Sequence, residues 1–287
     1  MNYDDIFVSP KKKAFDKEKW AQEKKDQREF AYSTIDKMAQ SVGADGAALQ
    51  KYLNVQSRFD RYTVGNALLV MAQMPTATKL AEFGEWRERG AFLKAKKPVI
   101  ILKPGNDYER DDGSTGTSFD PTRVYDISQT SLRRETQAKA APDMRTLLAA
   151  LVSNAPVAIK PTEGISGASF EPEQGEILVQ PGMTAEDLFL HLSTALSHAE
   201  LAGGDTDYDP GENGFHAYCA AYMLCKRHGI DTKSFNFEGA PGFFEGTEVK
   251  EIREELTKPQ QAARGINERI SQNLYQKERQ SQSHEER

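Results

Sequence analysis

Two cysteines in 287 residues, Cys219 and Cys225, provide neither a disulfide framework nor a CxxC pair for metal or redox chemistry, so both are expected as reduced core residues. No apolar run approaches the ~20 residues that a membrane span needs, and the N-terminal MNYDDIFVSPKKK lacks the apolar centre of a signal peptide. The expected location is cytoplasmic, with no membrane partner. A GxSxG elbow, a phosphate-cradling glycine loop and a useful internal repeat are also missing. Nor is there an HExxH helix. The nearest approach is His191-Leu-Ser-Thr-Ala-Leu-Ser-His198. In a zinc peptidase two histidines four residues apart share one metal, with a glutamate beside the first as general base. Here Thr194 and Ala195 stand where the first histidine and the glutamate belong. His191 and His198 are themselves separated by about 10 Å along a helix, too far to share an ion. His198 is expected as a packed or hydrogen-bonded histidine, although recruitment of His216 from the next helix stays open. Asp205, Asp207, Asp209 and Glu212 lack EF-hand spacing and read as a solvated acidic loop.

The charge that is present is divided unevenly. The chain carries a net −6, yet residues 1–150 hold 25 Lys and Arg against 21 Asp and Glu (+4), while 151–287 hold 12 against 22 (−10). Overall acidity therefore does not exclude a nucleic-acid partner for the first half. Within it, Ser57 to Pro104 crowds aromatic, amide and basic residues together. Leu68–Met71 reads as the buried part of one helix; Leu80, Phe83 and Trp86 as the inward face of a second; Val99–Leu102 as a strand. Lys79 to Lys103 alone carries seven basic and three acidic residues, +4. Cations for phosphates, aromatic faces for bases and amides for hydrogen bonds are what single-stranded nucleic acid requires. Tyr62, Trp86, Phe92 and Tyr125 are candidate platforms, with Asn66 and Gln73 as amides. For Trp86, the spacing with Phe83 favours a core role.

Elsewhere, Lys17 to about Gln40 reads as a charge-dense helix with Trp20, Phe30, Ile35 and Met38 on its apolar side. The segment GNDYERDDGSTGTSFDPT after Pro104 reads as a mobile loop, closing an antiparallel pair with Arg123–Ser128. The second half offers a helix near Met144–Val152, strands at 156–160, 163–170 and 176–180, a helix started by Thr184, and another, Phe215–His228, stopped by Gly229. The fold class is α+β: a helical N-terminal region on a small antiparallel sheet, then a helix/sheet domain. The expected organisation is a flexible N-terminus (1–16), a first domain (17–140), a second (143–257) and a polar helical tail (258–287).

The run Tyr62-Thr-Val-Gly-Asn66, Leu68-Leu69, Gln73, Ala77-Thr78, Phe83, Trp86, Gly90, Leu93-Lys94-Ala-Lys-Lys97-Pro-Val-Ile-Ile-Leu-Lys-Pro104, followed by Val124-Tyr-Asp-Ile-Ser-Gln-Thr130, resembles the N-terminal domain of ArdC-type antirestriction proteins. The chain departs from that pattern at Thr63, Ala91, Ala95 and Pro98. The resemblance implies a single-stranded-DNA-binding domain from plasmids and conjugative elements, whose proteins shield incoming DNA from restriction. On this reading Tyr62, Asn66, Gln73, Arg89, Lys94, Lys96, Lys97 and Lys103 form the ligand surface. The second half is similar to the zincin-like domain of the same family. It implies degenerate metal positions at Thr194, Ala195, His198 and Tyr218, and hence no catalytic residue, no cofactor, and a domain kept for contacts with a host or element-encoded protein. Two other classes remain: a zinc-dependent hydrolase with unconventional ligands, and an interaction or inhibitor module that binds no DNA.

Overall fold

A computed structural model describes residues 16–95, 97–110, 113–132 and 142–285. Three sequence expectations lie outside the described residues: the N-terminus over 1–15, Lys96, and the domain boundary where it falls within 133–141. Among the described residues no helix is long and apolar enough to cross a membrane.

Three helices open the fold. Asp16 caps α1 (Lys17–Ala44) by accepting the Lys19 N–H. Asp45 ends it and caps α2 (Gly46–Arg58), accepting the N–H groups of Ala47 and Ala48. The start of α2 is crowded: a Cβ on Gly46 would stand 2.0 Å from the Phe237 carbonyl oxygen, so the close approach requires glycine. Thr63 caps α3 (Val64–Gln73), whose Leu68, Leu69 and Val70 are fully buried against Ile35, Leu49 and Leu53.

These helices rest on an antiparallel sheet of strand order β1-β3-β2, where β1 is Leu80–Glu82, β2 Val99–Glu109 and β3 Thr115–Asp126. A six-residue helix, α4 (Phe83–Glu88), follows β1 directly. The predicted second helix therefore divides. Leu80–Glu82 pairs with Val124–Asp126 as a strand, and Phe83 turns outward at 49% exposure while Trp86 is fully buried. The expected mobile loop after Pro104 is mostly paired backbone. Asp107 to Glu109 face Thr117 to Thr115 after a bulge between Pro104 and Asp107. Arg28 of α1 holds this arm by donating to Asp120 and to the Phe119 carbonyl. Period-2 pairing needs no buried face when the backbone ladder and such ties are present, which is why composition alone misread it.

The second half has α5 (Met144–Val152) and a sheet of order β4-β6-β5, with β4 (Ala158–Pro161) parallel and β5 (Ala168–Glu171) antiparallel to β6 (Glu176–Val179). Thr184 caps α6 (Ala185–Ala202), and Gly229, at φ +75°, ends α7 (Gly214–His228) as its sequence position predicts. The short α8 (Ala240–Phe243) leads into α9 (Val249–Glu285). Expected as a polar tail beyond residue 257, α9 instead buries Ala262, Ala263, Ile266 and Ile270, together with Gln260, Asn267 and Asn273. Each large aliphatic side chain so buried contributes roughly 1.5–3 kcal/mol, enough to make this stretch part of the core. The class is α+β, and one continuous apolar core runs from Ile35 through Leu68 and Leu196 to Ile270.

Candidate nucleic-acid interface

Trp86 anchors a separate small apolar cluster with Ala81 and Ala91, and its indole N–H donates to the Tyr125 carbonyl at 2.8 Å. Arg89, at the C-cap of α4, lies with its guanidinium 5.1 Å from the centre of the Trp86 ring and 3.9 Å from Glu85. The chain then crosses to the end of β3 and is stitched there. Phe92 and Ser131 exchange hydrogen bonds, Lys94 N–H donates to the Gln129 carbonyl at 2.8 Å, and Gln129 Nε2 donates to the Lys97 carbonyl at 2.6 Å. Gln129 Oε1 in turn accepts the Asp126 N–H.

Asp126 is the hub of this region. Its carboxylate accepts the N–H groups of Thr78, Lys79 and Ser128. Burial alone would raise its pKa, but the N–H donors led by Lys79 and Ser128 outweigh it and hold the carboxyl below its usual range. Lys94 and Lys97 are thus exposed lysines, each tied at its backbone to Gln129, and among the described residues neither has a carboxylate partner.

The other expected ligand residues are placed differently. Asn66 and Gln73, seven residues apart on one face of α3, clasp the outer edge of β2. Asn66 Nδ2 donates to the Leu102 carbonyl and Asn66 Oδ1 accepts the Leu102 N–H, both at 2.8 Å. Gln73 makes the same pair of bonds to Ile100, at 2.8 and 2.9 Å. Both amides are consumed in capping an edge strand, which corrects their assignment to the ligand. Tyr62 is partly buried and stacks on Phe59 with ring centres 5.1 Å apart, so its face is turned into the core. Lys103 is paired with Glu82. Sequence reasoning missed Phe83 as an exposed ring, because a helical period carried back through Leu80 placed it inward; the alternation at Val124–Asp126, which supplies the partner strand for Leu80–Glu82, was the available signal.

In the second half the positions expected as degenerate metal ligands make other contacts. The Thr194 hydroxyl donates to the Leu190 carbonyl, and Ala195 is buried. His198 Nδ1 bonds to the Tyr208 hydroxyl at 2.8 Å, and burial lowers its pKa. The Tyr218 hydroxyl accepts the Asn236 N–H, while its ring packs on Phe235 and Phe237. This donor set does not fit a zinc ion, which needs three protein ligands converging on one point. Nor does His216 join it: its Nε2 lies 2.6 Å from Glu255 of α9. Among the described residues no group of three or more His, Cys, Asp or Glu could hold a metal.

No family model matches this sequence, and no curated protein does. Among solved structures, the metal-free crystal structure of the antirestriction ArdC protein from the R388 plasmid matches with a TM-score of 0.50 at 18% identity, covering 74% of this chain and 86% of that one. The Mn(II)-bound structure of the same protein matches with a TM-score of 0.49 at 15% identity, covering 74% and 84%. The chain therefore shares the fold of the antirestriction ArdC protein.

Proposed function

We propose that this protein binds single-stranded DNA through the Lys94–Lys97 turn and serves as an antirestriction protein of a mobile genetic element, acting in the cytoplasm. The observation that carries the reading is the pair Lys94 and Lys97, both exposed and both tied at the backbone to Gln129, a few residues past Arg89 in the chain. The backbone ties matter because a tethered segment loses less backbone entropy on meeting phosphates than a free loop does. The ArdC fold and the family resemblance of Tyr62 to Thr130 support the same assignment. The second half acts without hydrolysis, as a surface for a host or element-encoded protein, since Thr194, Ala195 and Tyr218 offer neither general base nor ligand set.

Lys94→Ala with Lys97→Ala is expected to weaken binding of a single-stranded oligonucleotide about tenfold at low salt. Removing two phosphate contacts should also reduce the log–log salt slope by about 1.4. Fluorescence anisotropy across a salt series measures both. Unchanged affinity in the double variant would overturn the assignment of the turn.

A further inference from the structure

A groove of about 410 Å³ lies between α1 and the sheet, within the ~300–1,000 Å³ typical of ligand sites. Its aromatic lining is Trp20 from α1, Phe83 at the start of α4 and Tyr125 from β3. Trp20 is 50% exposed and Phe83 49%. The charged lining is balanced: Glu23 and Glu82 against Lys24 and Arg123. Moreover these charges are engaged. Arg123 lies 3.8 Å from Glu23, Lys24 donates to the Pro121 carbonyl, and Glu82 is paired with Lys103. A groove with no surplus positive charge does not attract a phosphate, whereas its aromatic rings suit a flat, neutral heterocycle.

We infer that this groove seats an unpaired nucleobase of the bound single strand, stacked on Trp20 and Phe83. The inference rests on the DNA-binding reading and extends it by dividing the labour: phosphates are held at the Lys94–Lys97 turn, and a base enters the groove. Phe83 and Arg89 stand at opposite ends of α4, only about 9 Å long, and Lys94 follows five residues after Arg89, so the groove and the lysines are close along the chain and one oligonucleotide can span both. Base–aromatic stacking tolerates any sequence because every base has a π-face. The groove opens only to unpaired bases, since those of a duplex are already stacked on each other.

The protein has two tryptophans, and Trp86 lies under the Arg89 guanidinium, so the part of the emission change on binding that is lost in Trp20→Phe reports on Trp20. A dye-labelled single-stranded 12-mer is titrated into the full-length protein, reading oligonucleotide anisotropy and tryptophan emission together. The expected result is quenching that saturates with the anisotropy. Trp20→Ala and Phe83→Ala should each lower affinity about tenfold and leave the salt slope unchanged, and Trp20→Phe should restore affinity. Anisotropy change with constant emission and undiminished affinity in both alanine variants would overturn the groove while leaving DNA binding intact. Equal quenching by the duplex would also overturn it. No anisotropy change at low salt would sink the DNA-binding reading and the groove together.

Discussion

Asn66→Ala and Gln73→Ala are each expected to cost about 2–4 kcal/mol of stability, and the double variant correspondingly more, because each leaves a backbone N–H and a carbonyl of β2 unpaired where Ile100 and Leu102 are only 8% exposed. The amides stand in for a fourth strand. Leu102 faces Pro121 as a non-hydrogen-bonded pair, its N–H and C=O both turned to the α3 side, and for the same reason Pro121, with no N–H to give, is tolerated opposite it. Asn66→Asp tests the clamp without changing side-chain shape. It still accepts the Leu102 N–H but sets an oxygen against the Leu102 carbonyl, so it should destabilise nearly as much as alanine. Urea unfolding gives the answer directly. Alanine variants with wild-type midpoints and lost DNA binding would return these amides to the ligand surface.

The second large effect is expected at Asp60, where the two halves of the chain meet. Its Oδ2 accepts from Asn267 Nδ2 at 2.6 Å and lies 3.4 Å from Arg227, while its carbonyl accepts from Gln260 of α9 at 2.8 Å. Arg227 also donates to the Ser57 carbonyl, and His228 lies 3.1 Å from Asn267 Oδ1. Because that oxygen can only accept, His228 Nε2 carries the proton. Asp60→Ala removes one partner from a largely enclosed network. With side-chain exposures of 16% for Asp60 and 31% for Arg227, the cost should be about 2–3 kcal/mol, below that of a fully buried pair. The melting temperature should fall by about 5–10 °C. Adding Asn267→Ala should cost less than the sum of the single changes. A loss under about 0.5 kcal/mol would mean that the network does not join the halves.

The same junction confers acid sensitivity. Burial first, and the neighbouring Arg227 second, lower the His228 pKa to about 4, against opposing effects of Asn267 and Asp60. The folded protein therefore keeps His228 neutral over a range where the unfolded chain, titrating near 6.5, binds a proton. This stabilisation is complete above pH ~6.5 and is lost as pH falls toward 4, by up to about 3 kcal/mol. Urea midpoints for wild type and His228→Gln between pH 4.5 and 7 should converge at the acid end. A constant difference would exclude His228 as the source.

Much of the fold is legible in the sequence where one period dominates. Leu68–Met71, the Thr184 cap and the Gly229 stop each follow from local chemistry that tertiary contacts only reinforce. What is not legible depends on partners distant in sequence. Gln260, Asn267 and Asn273 look like the solvated side of a tail, yet each amide answers a carbonyl or carboxylate supplied by Asp60, just past α2, or by the end of α5. The apolar period at Leu256, Ala263, Ile266 and Ile270 was visible, but the polar residues interleaved with it masked its meaning. Asn66 and Gln73 show the same ambiguity at the candidate site. An amide on a helix can meet a base or a strand edge, and only the register of β2 against α3 decides. The lysines of the turn were readable as exposed cations; that Gln129 fixes the turn was not, because the bond spans residues 97 and 129.

The central claim, that this protein holds single-stranded DNA by its phosphates, is tested most directly by one salt titration of affinity for a single-stranded oligonucleotide. The account predicts binding at low salt with log K falling linearly against log salt, at about 0.7 per phosphate neutralised. Absence of binding at low salt, or an affinity indifferent to salt, would contradict it.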